Sequence, residues 1–234
     1  MTVRPIFAVF AALLCACAGT GSAPIPGKAH VFGTLSLVPH AGVEVPKASA
    51  GSYGSVRMRD VELVDYSKPG FAVVYAAENA RPGGAAKIEI RDTKIEPRFE
   101  PAELAIGAGG HLTIVNGTGD SHLLSYPAAG IFQRLKSGDS LELDVPGEGE
   151  QRIFLVDVLS ADATLFVAPG GYTVVSTSGD YELRNLEPGE AELRAWHPRF
   201  PPALRRVALT PDARVRVDIQ MGVDVAPEAQ PNAP

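Results

Sequence analysis

The sequence predicts an all-β protein of the sandwich type, and three observations carry that expectation. Short segments of alternating or continuous apolar character recur along the 234 residues, with Gly, Pro, Asn and Asp between them. No stretch of useful length spaces its apolar residues at the helical period. Apolar residues make up 45% of the chain and charged residues 21%, the balance of an ordinary folded domain.

In order, residues 30–38 alternate Val31, Leu35 and Leu37 with Thr34 and Ser36, and a Pro/Gly/Ser-containing loop follows. Residues 56–66 are β-like again, with an apolar parity that shifts between Met58 and Val61, the mark of a bulge or break. Residues 71–76, Phe-Ala-Val-Val-Tyr-Ala, form a continuous apolar run, which predicts a central strand buried on both faces. Residues 87–91 alternate strictly, Ile88 and Ile90 against Lys87, Glu89 and Arg91. Strands are then predicted at 102–106, 111–116, 122–126, 141–145, 152–158 and 164–168. Turns separate them at 107–110 and 117–120, and Gly147-Glu148-Gly149-Glu150 reads as a hairpin turn. Five more strands follow at 172–177, 181–186, 191–196, 204–209 and 214–219. The turn Glu187-Pro188-Gly189-Glu190 sets Pro where φ is fixed and Gly where φ turns positive.

The formal charge of −6 argues against a nucleic-acid partner, since phosphate binding requires a basic face. The arginines near the end (Arg194, Arg199, Arg205, Arg206, Arg214, Arg216) alternate with acids and read as a solvated strand face. No phosphate-binding loop and no Gly-x-Ser-x-Gly elbow is present, so no enzyme activity is expected. Asn116-Gly117-Thr118 matches a glycosylation sequon, but Asn-Gly has a turn role of its own.

At the N-terminus Arg4 precedes an apolar run, 6–14, too short to span a bilayer. Leu14-Cys15-Ala16-Cys17 resembles a bacterial lipobox, which implies cleavage before Cys17 and a lipid on its sulfur. The alternative is ordinary signal-peptide cleavage after Gly21-Ser22-Ala23, with Pro24 next to the cut, which leaves the chain in the periplasm. With lipidation, residues 1–17 are a lipoprotein signal peptide and 18–29 a flexible tether. Ala18, rather than an aspartate, after the lipidated cysteine implies the periplasmic side of the outer membrane, by analogy with known lipoproteins. Cys15 and Cys17 are the only cysteines, so a lipidated mature chain has neither a disulfide nor a free thiolate for a metal.

The stretch 99–145 holds two strands around a glycine turn, then Asn116 and, six residues on, His122. This resembles the first half of a cupredoxin, the Greek-key β-sandwich that holds one copper ion. From Gly179 onward, Asp-Tyr-Glu-Leu-Arg-Asn-Leu-Glu-Pro-Gly resembles the prealbumin- or carboxypeptidase-regulatory-like sandwich modules. Together with the Phe-Ala-Val-Val-Tyr lead and the closing Arg194-Ala-Trp-His-Pro, the order resembles periplasmic cupredoxins of the methylamine-utilisation-protein-like family. The resemblance implies a cupredoxin-like sandwich with an N-terminal β extension over 30–168, a regulatory-like module over 169–222, and a disordered tail over 223–234.

In that family the copper ligands are a histidine after the Asn, then a Cys-x-x-His-x-x-Met-like cluster. A type 1 centre needs two imidazoles, a thiolate and a weak axial thioether. His122 matches the first histidine. The later cluster falls within 154–166, where Val156, Leu159 and Asp162 stand at the Cys, His and Met positions, and a register slip of one or two restores no ligand. No cysteine follows residue 17, no methionine lies between Met58 and Met221, and the only histidine after His122 is His197. The copper site is therefore expected to be lost, with Val156 and Leu159 filling it as apolar core and His122 left as a residual ligand position. His122 with Asp157 or Asp162 could offer a harder metal two oxygen or nitrogen donors, but a loop histidine bonded to its neighbours is the expectation. Trp196 and His197, at the end of a strand, are expected to form a possible surface contact, His197 as a half-exposed edge residue. A Ser176–His197 trio with an aspartate occurs by chance in chains of this size.

These readings predict a non-catalytic envelope lipoprotein without cofactor, whose copper-free sandwich binds or assembles with an unknown envelope protein or polysaccharide. The alternative is a copper-binding or electron-transfer protein that uses His122 with non-thiolate ligands.

Overall fold

The computed structural model describes residues 24–41, 64–77, 83–158 and 160–225. The signal, Cys17, most of the tether, residues 56–63 of one predicted strand, Leu159 and the tail beyond 225 lie outside the described residues. The molecule is all-β: among the described residues one short 3₁₀ turn, Pro127–Ala129, is the only helix.

The chain enters through β1 (Ala29–Leu37) and β2 (Val73–Ala76). Nine strands follow without leaving one compact unit: β3 (Ala85–Arg91), β4 (Arg98–Glu100), β5 (Glu103–Gly107), β6 (His111–Asn116), β7 (His122–Tyr126), β8 (Ile131–Leu135), β9 (Ser140–Asp144), β10 (Gly149–Leu155) and β11 (Asp162–Ala168). They form two sheets, in the orders β4-β3-β6-β9 and β5-β11-β10-β7-β8. Between them lies a core that includes Ile88, Ile90, Leu112, Ile114, Leu124, Ile153 and Leu165. Alternation explains it: Ile88 and Ile90 on β3, or Leu112 and Ile114 on β6, share one face because strand side chains repeat every second residue.

The chain then closes the unit it began, with β12 (Gly171–Val174), β13 (Asp180–Leu186), β14 (Gly189–His197), β15 (Phe200–Leu209), β16 (Arg214–Arg216) and β17 (Ile219–Met221). One sheet runs β13-β1-β16, with β17 also on β1, and the other runs β12-β2-β14-β15. Their shared core joins Val31, Leu35 and Val74 from the beginning of the chain to Leu183, Leu193 and Ile219 near its end. Gly189, at φ 129°, takes the positive-φ turn position read for it.

The boundary drawn after residue 168 is thus corrected. Strands β1 and β2 do not extend the sandwich of residues 85–168 but pair with the C-terminal strands, and 85–168 is inserted within that outer unit. Its two ends lie side by side, since Ala76 and Gly171 are cross-strand partners. A Cβ on the intervening Gly170 would meet the Ala76 carbonyl oxygen at 2.1 Å, so only glycine fits where the chain returns.

Two strands hold the units together because they are apolar on both faces. On β2, Val74 and Ala76 face the outer core while Val73 and Tyr75 face a third cluster with Phe166 and Ala168 of β11. Trp196 completes that seam, stacked on Phe166 at 4.4 Å and edge-on to Phe71 at 5.8 Å. Strands β4 and β8 went unread in the sequence, and Gly147-Glu148-Gly149-Glu150 is no hairpin turn, since Gly149 and Glu150 open β10, which lies in a different sheet from β9.

Candidate functional site

The end of β6, the start of β7 and the tight β10–β11 hairpin converge at one edge of the inserted sandwich. Asn116 is fully buried there and uses its whole amide. Its Nδ2 donates to the carbonyls of Asp120 (2.8 Å) and Leu135 (3.1 Å), and its Oδ1 accepts from the Thr118 amide (3.0 Å) and hydroxyl (2.7 Å). Ser137 adds a bond from its hydroxyl to the Thr118 carbonyl at 2.6 Å. The 117–121 loop is therefore wound around one asparagine side chain, and the sequon's acceptor is sealed inside.

This loop delivers His122, which is 5% exposed. Its Nδ1 donates to Asp157 Oδ2 at 3.2 Å, and its Nε2 lies 3.1 Å from the Thr118 hydroxyl. Asp157 also accepts the Leu123 amide through Oδ1 at 3.0 Å. Burial raises the Asp157 pKa, but the Leu123 and Asp157 amides and the His122 ring outweigh it and hold the carboxyl below its ordinary range. The β10 strand brings Asp157 here by pairing Phe154 and Leu155 with Ser125 and Leu124, after which the Val156 amide donates to the Leu123 carbonyl at 2.8 Å.

His122 thus does lie beside the 156 region, as the sequence implied, but the filling is not what was expected. Val156 is 48% exposed and is not apolar core; Leu159 lies outside the described residues. The residue facing the imidazole is Asp157, one position along, in the turn that follows β10, where its side chain stays 35% exposed. Asp162 does not join them: it accepts from Arg152 at 2.6 Å.

This donor set does not fit the copper centre of the resembled family. One imidazole and one carboxylate face each other, no cysteine stands among the described residues, and Met221 belongs to the outer core. Among the described residues no group of three or more His, Cys, Asp or Glu is placed to hold a metal ion. Nor does the Asp157–His122–Thr118 line suit nucleophilic attack. The Thr118 hydroxyl is buried and already bonded to Asn116, so no reacting carbon can approach it.

Trp196 and His197 are corrected as a surface contact. Trp196 belongs to the seam between the units. His197 is 7% exposed rather than half-exposed, its Nε2 donating to the Pro69 carbonyl at 2.9 Å and its Nδ1 accepting the Arg199 amide at 3.0 Å. Burial, with Arg199 nearby, holds its pKa below the ordinary histidine value despite the Pro69 bond. Ser176 bonds instead to Ser178 and the Asp180 amide. The sequence named His122 and offered Asp157 beside it, as one of two alternatives with Asp162, but missed Thr118 as the partner on the other side. The available signal was a polar Asn-x-Thr-x-x-x-His run entering an apolar strand.

No family model and no curated protein matches the chain. Among solved structures it is similar to a purple cupredoxin from Nitrosopumilus maritimus, at 20% identity over 35% of this chain and 98% of that one, with a TM-score of 0.31. A mutant fern plastocyanin matches at 18% identity over 35% of this chain and 99% of that one, TM-score 0.31. Pseudoazurin from Methylobacterium extorquens AM1 matches at 13% identity over 36% and 75%, TM-score 0.30.

Proposed function

We propose that this chain is a non-catalytic lipoprotein of the bacterial envelope, in which a cupredoxin-like unit without copper serves binding or assembly. A lipid on Cys17 holds it to the periplasmic side of the outer membrane, and its partner is an envelope protein or a polysaccharide. The observation that carries this reading is the engagement of both His122 nitrogens, by Asp157 and by Thr118. A ring bonded on both sides acts as a bolt between the 117–121 loop and the β10–β11 hairpin. To ligate a metal it would have to give up one of these bonds and leave a buried polar group unsatisfied, at a cost of about 1–3 kcal/mol.

Equilibrium dialysis of the purified protein against Cu(II) tests the cofactor part. Retention no greater than in His122→Ala is expected, whereas one copper per chain, lost in that variant, would establish the copper-handling alternative. Fractionation tests the anchor: Cys17→Ser should move the chain from membranes to the soluble fraction, and unchanged partition would refute lipidation there.

A further inference from the structure

Sheet borders expose unpaired N–H and C=O groups, and proteins guard them with brevity, charge, proline or cover. Most borders here are guarded. β4 (Arg-Phe-Glu) and β16 (Arg-Val-Arg) are three residues long and charged. β9 carries Glu142 and Asp144, and β15 carries Pro201 and Pro202. β5 is partly covered by Tyr172, whose hydroxyl donates to the Ala105 carbonyl. β8 is different: it borders the five-stranded sheet as Ile-Phe-Gln-Arg-Leu, with one charge, no proline and Phe132 65% exposed.

The backbone of β8 is also oriented for pairing. Leu123 on β7 turns its N–H and C=O toward the β10 side, to Asp157 and Val156. Alternation then turns Leu124 toward β8, where Gln133 lies opposite it. Phe132 and Arg134 are left with their N–H and C=O directed outward. Their side chains share the outer face of the sheet, where Phe132, Ser125 and the partly exposed Phe154 form one cross-strand row.

We propose that β8 pairs antiparallel with β8 of a second copy, about a two-fold axis through Gln133. In this register Phe132 stands opposite the partner's Arg134, and Arg134 opposite the partner's Phe132, so the outward groups of the two residues exchange four hydrogen bonds. Each guanidinium, now held at 3.2 Å by Ser121 Oγ, comes to lie against an aromatic ring. The same kind of guanidinium–ring contact exists within the chain, where Arg214 sits 4.5 Å from the centre of the Phe32 ring, there from a diagonal position across a parallel pair. A shift that placed Arg134 against its own copy would set like charges opposite each other, which is destabilising. The contact is isologous and closes on itself, giving a dimer and no fibre. One strand pair is small, so the dimer is weak and depends on high local concentration.

The test is site-directed crosslinking of the full chain. At the dyad Gln133 meets Gln133 in a non-hydrogen-bonded pair, about 4.5 Å between Cα atoms, within disulfide range. Gln133→Cys, mildly oxidised and run without reductant, should give a band of twice the monomer mass, several-fold above whatever background the parent shows. Phe132→Cys should stay near background, because its copies are diagonal neighbours about 7–8 Å apart. Adding Phe132→Lys to the Gln133→Cys chain should cut the dimer several-fold, with Trp196 fluorescence unchanged as evidence of folding. Background-level crosslinking at position 133, equal crosslinking at 132, or indifference to the added lysine would each overturn the pairing.

Discussion

The two sandwiches differ in how the chain supplies them. The inner core takes its residues from the stretch between Ile88 and Val167, while the outer core draws on 29–37, 72–76 and 175–221. The outer unit therefore closes through contacts separated by well over a hundred residues, such as Val31 with Leu183. Pairings of that separation carry a larger loop-closure cost than local ones. What compensates is the side-by-side arrangement of Ala76 and Gly171: once the insert is folded, its ends bring the two halves of the outer unit together.

Core truncations should show this contrast most strongly. Leu165→Ala and Leu193→Ala each empty a fully buried site and should cost about 2–5 kcal/mol. If the insert folds first, Leu165→Ala should slow folding of both units, whereas Leu193→Ala should leave the inner strands protected from hydrogen exchange; equal loss of protection in both units would dissolve the distinction. Next in size is the seam. Trp196→Ala should cost about 3 kcal/mol, the low end of the range for a large aromatic, because Trp196 is only partly buried. Since Trp196 is the only tryptophan, Phe166→Ala should redden its emission before either core melts.

A smaller effect is expected with acid. The His197 pKa is depressed in the folded chain, chiefly by burial. Just below the ordinary value of 6.5 the unfolded chain therefore binds the proton and the folded chain does not. The stability His197 contributes is whole above that value and declines as pH falls toward the folded one. Asp157 follows the same sign lower down: its contribution is whole above the ordinary carboxylate pKa and is lost as pH falls through its depressed folded value. Chemical unfolding between pH 7 and 5 should show a shallower decline in His197→Gln than in the parent, and parallel curves would contradict the assignment.

Much of the architecture was legible because strand burial writes itself in alternation. Ile88/Ile90, His111–Asn116 and the doubly buried run Val73–Ala76 were all readable from parity. Strand β8 was not, because Phe132, Gln133 and Arg134 are all exposed and a border strand has little pattern to show. The assignment of β1 and β2 was hidden for another reason: an apolar face does not state which other face covers it. At the site, His122 could be found from its distance to Asn116. Asp157 could be named only as an alternative to Asp162, since the turn after β10, which decides which carboxylate meets the ring, carries no periodic pattern.

The claim on which the rest depends is that hydrogen bonds, and no metal, close the His122 end of the inserted sandwich. Calorimetric unfolding with and without a molar excess of Cu(II) tests it directly, since anything that binds only the folded state raises the midpoint by mass action. The midpoint should be unchanged by copper and lowered in His122→Ala, with about 1–3 kcal/mol lost when the buried bonds go. A rise of several degrees on adding copper, absent in His122→Ala, would contradict it.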